Sequence, residues 1–245
     1  MTGDLSGFGK LCYTLRHLDT LCQCGDERHR SRGIAYASNV DERPPTLTER
    51  RKAATQLELA RAAARLFTDR GPDATTAEEI AAAGGVALRT FYRYFRTKED
   101  AVAPLLTVGA DHWRALLAAS DRSVDPLIAI ERAIAEALTP PGDDLEGVSW
   151  TRGLLRAGVD DPALMNVWYR VNRESETKLR GVILELGGPT VDEPTARLVA
   201  AAATDAIRIA LEAWAETDDP EVGPGSPAER AVHNFRRLSA GLTSA

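Results

Sequence analysis

The chain has 245 residues, 44% of them hydrophobic and 27% charged, with a net charge of −6. That balance excludes a mainly disordered chain and leaves enough apolar material for a substantial core. No apolar run approaches the roughly 20 residues needed to cross a bilayer, and Met1 to Lys10 lack a signal-peptide pattern, so no membrane partner is expected.

The acid excess is unevenly spread. Residues 1–45 are neutral, 46–100 carry +2 and 101–245 carry −8. Between Ala87 and Lys98 stand Arg89, Arg93, Arg96 and Lys98 with no acidic residue among them. A short basic window of this kind is a candidate phosphate-facing surface.

Residues 1–45 hold all three cysteines (Cys12, Cys22, Cys24) and sustain no helical or strand period. They are expected to form a poorly ordered extension. A metal site built from these cysteines with His17 or His29 would lack the paired C-x2-C spacing of zinc knuckles, so neither metal nor cofactor is expected. The absence of cysteine from the rest of the chain fits a reducing, cytoplasmic setting.

From Thr48 onward the pattern is helix after helix. Leu59, Ala63, Leu66 and Phe67 form the stripe of an amphipathic helix from about Glu49 to Arg70, stopped by Gly71-Pro72. Thr76 followed by Glu79 is a capping box for a short second helix, ended by Gly84-Gly85. Val86 is expected to open a third helix with Phe91 and Phe95 on one face. Thr97 caps a fourth, over about 98–120. Further helices are expected at 124–138 (closed by Pro140-Pro141-Gly142), near 147–157, from Pro162 to Leu186, at 192–217 and from Ser226 to about Leu242. No convincing alternation of β-branched residues occurs, so the expected fold class is all-α.

Two short helices joined by a glycine turn, the second carrying outward basic and aromatic groups, have the layout of a helix-turn-helix. With Ile80, Val86, Phe91 and Phe95 turned toward Leu66 and Phe67, the side chains of Arg89, Tyr92, Arg93 and Arg96 face outward. Arginine offers paired donors to guanine, whereas tyrosine and lysine suit phosphate.

The segments Thr76-Ala77-Glu78-Glu79-Ile80-Ala81, Gly85-Val86, Thr90-Phe91-Tyr92-Arg93-Tyr94-Phe95 and Lys98-Glu99-Asp100 resemble the DNA-binding domain of TetR-type transcriptional regulators. The resemblance runs from about Leu57 to Val102. It implies a three-helix DNA-binding head at 46–106, a helical ligand-binding and dimerisation body at 107–245, and a homodimer on a palindromic double-stranded operator. By position it implies phosphate contacts for Thr76, Tyr92 and Lys98, and groove-facing places for Arg89, Thr90 and Tyr94, with Arg93 beside them. The chain departs from the family pattern at Ala87, where serine usually caps the recognition helix, at Gly84, usually alanine, and at Leu88, often polar.

In the body, Leu198, Ala202, Ala206, Ile209 and Ala213 make one stripe of a helix, and Val199, Ala203, Ile207, Ala210 and Trp214 make its neighbour. A helix apolar on two sides is expected to bury one within its domain and the other against a second copy, with Val232, Phe235, Leu238 and Leu242 of the last helix alongside. Trp113, Trp150, Arg152, Met165, Trp168 and Tyr169 are the candidate contacts for a small-molecule effector, with His112 and Arg156 as further polar candidates. The four histidines have no triad or ligand spacing, and G-x-S-x-G, H-E-x-x-H and phosphate-loop motifs are absent, so no enzyme is expected. A helical protein-interaction module, or an enzyme of unrecognised chemistry, is the alternative.

Overall fold

A computed structural model describes residues 46–139 and 146–241. The expected N-terminal extension with its cysteines, the Pro140-Pro141-Gly142 stop and Leu242 lie outside those residues. Among the described residues there are nine α-helices and no strand.

Local chemistry sets the element ends. Helix α1 (Leu47–Arg70) begins with Thr46, whose hydroxyl accepts from the Glu49 amide while the Glu49 carboxylate accepts from the Thr46 amide at 2.7 Å. Helix α2 (Ala77–Ala83) has the expected capping box of Thr76 and Glu79. Its exit is a Schellman turn: the Val86 amide donates to Ala81 O and the Gly85 amide to Ala82 O, with Gly85 at φ +69°. Val86 is thereby spent on closing α2. Helix α3 (Leu88–Tyr94) therefore opens two residues later than expected, at an Ala87 cap that supplies no side-chain acceptor.

Gly84 corrects the sequence reading as well. Its φ is −86°, so it needs no left-handed freedom; a Cβ there would come 2.5 Å from Leu59 Cδ2 of α1. Close approach to α1 is its role, and Gly85 alone makes the turn.

After α3, the Thr97 hydroxyl accepts from the Asp100 amide at 3.2 Å, as its capping role requires. The chain first makes a 3-10 turn, Glu99–Val102, and only then α4 (Ala103–Ala118), whose first turn holds Pro104 where no amide donor is needed. Helices α5 (Pro126–Ala137), α7 (Pro162–Gly187) and α8 (Glu193–Ala215) start on Asp125, Asp161 and Asp192, and α9 (Pro227–Ser239) starts on Ser226. Helix α6 spans Glu146–Gly158. Helix α9 ends at Ser239, short of the expected Leu242.

Two apolar clusters hold these helices. The first joins Leu59, Phe67, Ile80, Phe91, Phe95 and Val102 to Leu154 of α6 and Leu164 and Val167 of α7. The second contains Trp113, Leu117, Ile130, Ile134, Leu179, Ile183, Trp214 and Phe235. Leu106 packs against both, so the apolar packing is continuous across residue 106. Full burial of each large side chain stabilises by about 1.5–3 kcal/mol relative to exposure.

Candidate nucleic-acid interface

Helix α3 is held on one side and free on the other. Phe91 is fully buried and Phe95 nearly so, their ring centroids 5.3 Å apart. Val86 and Leu88 are half-buried against the same cluster, so Leu88 packs inward. On the opposite side Arg89, Tyr92 and Arg93 are exposed, Tyr92 by 54%, with Thr90 half-buried; Tyr94, also half-buried, packs against the apolar cluster. The Arg93 guanidinium lies 5.0 Å from the Tyr94 ring centroid and donates to Tyr94 Oη at 3.2 Å. Five of the seven expected DNA contacts thus share one short helix, with cationic and hydroxyl groups facing outward.

The other two are differently engaged. The Thr76 hydroxyl accepts from the Glu79 amide and donates to Glu79 Oε2 at 3.0 Å, so its first duty is the α2 cap. These hydrogen bonds, first from the Thr76 backbone and then from its hydroxyl, hold the Glu79 carboxyl below its ordinary value of 4.5, and Arg70 at 2.9 Å adds to the effect. Lys98 donates through Nζ to the Pro72 carbonyl at 2.7 Å and lies 3.7 Å from Glu99 Oε1. It pins the segment after α3 to the α1–α2 loop and keeps two ammonium protons for other acceptors.

Residues 59–103, which contain this whole arrangement, match the family described as bacterial regulatory proteins, tetR family. This segment is thus similar to the tetR family. The chain is 29% identical over 181 residues to the HTH-type transcriptional regulator TcmR of Streptomyces glaucescens, an alignment covering 71% of this chain and 80% of that protein. Its fold is similar to that of NalD, the secondary repressor of the MexAB-OprM multidrug efflux pump in Pseudomonas aeruginosa. That similarity has a TM-score of 0.50 at 21% identity, over 77% of this chain and 96% of the other. A tetR-family structure from Mesorhizobium loti aligns over 78% of this chain and 98% of its own at 20% identity, with a TM-score of 0.48.

The six expected effector residues do not surround one cavity. Trp113 is core, and Trp150 packs against the other cluster, with the α1–α3 helices. Tyr169 is 47% exposed. The Arg152 guanidinium stacks on the Trp214 ring, 3.5 Å from its centroid, and donates to the Asp219 carbonyl. Burial, and then the charge of Arg156, push Arg152 below its ordinary value. Arg156 donates to Ala215 O and Thr217 O, both at 2.7 Å, and pairs with Asp218 at 2.8 Å. Both arginines therefore fasten α6 to the segment that follows α8. His112 is exposed on α4. Met165 and Trp168 share a small apolar cavity completed by Leu106, Leu154, Leu155 and Leu164, and the Trp168 indole also donates to Glu212 Oε1 at 2.8 Å. A larger cleft of about 120 Å³ lies between α7 and α8, lined by Arg173, Glu176, Thr177, Arg180, Arg197 and Ala200.

Two contacts escaped the sequence reading because each joins distant residues. Arg170 of α7 pairs with Asp100 at 2.6 Å, and Gly153 of α6 lies against Thr68 of α1.

Proposed function

We propose that this chain binds a palindromic operator as a homodimer, represses transcription from it, and is released by a small-molecule effector. The observation that carries the reading is the two-sided character of α3. Phe91 is spent on the core, Arg89, Tyr92 and Arg93 face away from it, and Thr90 and Tyr94 are half-buried, with Tyr94 also packed against the apolar cluster. A helix of that build enters a major groove, where arginine reads base edges and tyrosine and lysine hold phosphates. In this reading residues 46–106 are the DNA-binding head and 107–245 the body.

The dimer reading rests on α8 and α9. The α8 stripe of Val199, Ala203, Ile207, Ala210 and Trp214 is buried within the chain, while Leu198 and Ile209 on α8 and Leu238 on α9 are 58%, 43% and 47% exposed. Ala206 of the other stripe is buried, and Ala202 and Ala213 are half-buried. Pairing of these outer faces in two copies would cover them and set two α3 helices apart. Half-sites about 34 Å or a multiple apart then add their energies. An effector that prefers one separation of the heads shifts operator affinity without touching DNA.

Selection of duplexes from a random-sequence pool by the full chain tests this reading. An inverted-repeat consensus with two copies bound per duplex is the expected result. Failure to retain any duplex at low salt overturns it.

A further inference from the structure

The first two turns of α1 pack against nothing in the described chain. Residues 46–54 are all exposed, Leu47 by 55%, and the first core residue of the helix is Leu59. Arg50, Arg51 and Lys52 occupy this stretch, and the only acidic residue among 46–57 is Glu49, held on the Thr46 cap. The helix is nonetheless continuous from Leu47, carried by its capping box and by its attachment to the folded part.

Its level along the fold follows from one contact. Leu59 is the α1 residue that a Cβ on Gly84 would strike, so it marks the level of the turn leading into α3. Arg50 to Lys52 precede it by seven to nine residues, about 10–14 Å along the helix. The basic turns thus run on past the turn that introduces α3 by roughly the width of a major groove. Apolar packing among the described residues offers no reason to extend α1 so far; an acidic surface beyond the recognition helix does.

We propose that the free N-terminal turns of α1 are a second DNA-contacting element, in which Arg50, Arg51 and Lys52 engage backbone phosphates flanking the stretch read by α3. The proposal rests on the DNA-binding reading given above and extends its footprint. Successive helical residues are set 100° apart, so three in a row cannot all face one backbone, and one or two per protomer reach it. The element adds affinity without sequence preference, because a phosphate contact carries no base information.

The test uses the full chain, the duplex enriched by selection, and a mixed-sequence duplex of equal length, each titrated between 50 and 200 mM KCl. The triple variant R50Q/R51Q/K52Q keeps good helix formers at exposed positions, and helicity by circular dichroism checks that it folds. R132Q, an exposed charge change on α5, is the control. The expected result is roughly tenfold weaker binding at 0.1 M salt for each phosphate left unneutralised, on both duplexes, with a shallower salt slope and an unchanged consensus. Hydroxyl-radical protection disappears outside the half-sites and persists within them. A triple variant matching the parent in affinity, slope and footprint overturns the proposal and leaves the DNA-binding reading standing. No binding by the parent chain overturns both.

Discussion

Gly153 of α6 lies so close to Thr68 of α1 that a Cβ on it would come within 2.5 Å of the Thr68 hydroxyl oxygen and 3.2 Å of its Cβ. Glycine at this point lets α6 rest directly on α1. G153A is expected to force the two apart and to lower the unfolding free energy by about 1–3 kcal/mol, the usual cost of an added group in close packing. Combining it with T68A restores part of the loss, measured by chemical denaturation.

Arg89 and Tyr92 share the free side of α3 and differ in what they offer a duplex. R89A is expected to relax base preference at one operator position, worth about 1–3 kcal/mol of discrimination. Y92F removes only a hydroxyl and is expected to weaken binding evenly across sequences. Competition among single-base operator variants separates the two effects.

The α2 cap titrates. Glu79, like Glu49 on α1, has its carboxyl held below 4.5 by hydrogen bonds from its cap threonine, backbone first and hydroxyl second. A lowered folded-state value means stability that is present above pH 4.5 and is lost as pH falls through the folded value. E79Q is expected to flatten this part of the acid limb, so that parent and variant diverge in stability above pH 4.5 and converge as pH falls through the folded value. Thermal melts across pH 3–6 check it.

Arg156 binds two carbonyls and one carboxylate after α8. R156A is expected to free that segment, raising its rate of limited proteolysis and costing about 1–2 kcal/mol of stability. The comparison variant R132Q leaves both unchanged.

The outer α8 face carries the dimer reading. Placing a charge there, as I209D, is expected to convert a dimer to a monomer in sedimentation velocity, with helicity retained, because an unpaired carboxylate would be buried between the two copies. An unchanged sedimentation coefficient points to another face.

Most of the helical plan was legible because its signals are local. Thr76 with Glu79, Asp161-Pro162 and Ser226-Pro227 each announce a helix start within four residues. The misplaced start of α3 has a local cause as well: Ala87 carries no capping side chain, and Val86 is taken by the turn before it. The outward set on α3 was legible because Phe91, with Phe95 at the helix end, fixes its orientation. The expected effector residues were not resolved, since apolar spacing cannot tell a cavity wall from core. Arg152 finds Trp214 across 62 positions, and nothing near either residue signals that stacking.

The packing of Leu154, Leu164 and Val167 of α6–α7 into the cluster of α1–α3 bears on protein engineering. A chimera that grafts residues 46–106 onto a foreign scaffold would leave Phe67, Phe91 and Val102 without the side chains that complete their enclosure. A graft that keeps these partners is residues 46–106 together with α6 and α7, and the shorter piece is expected to melt at a lower temperature.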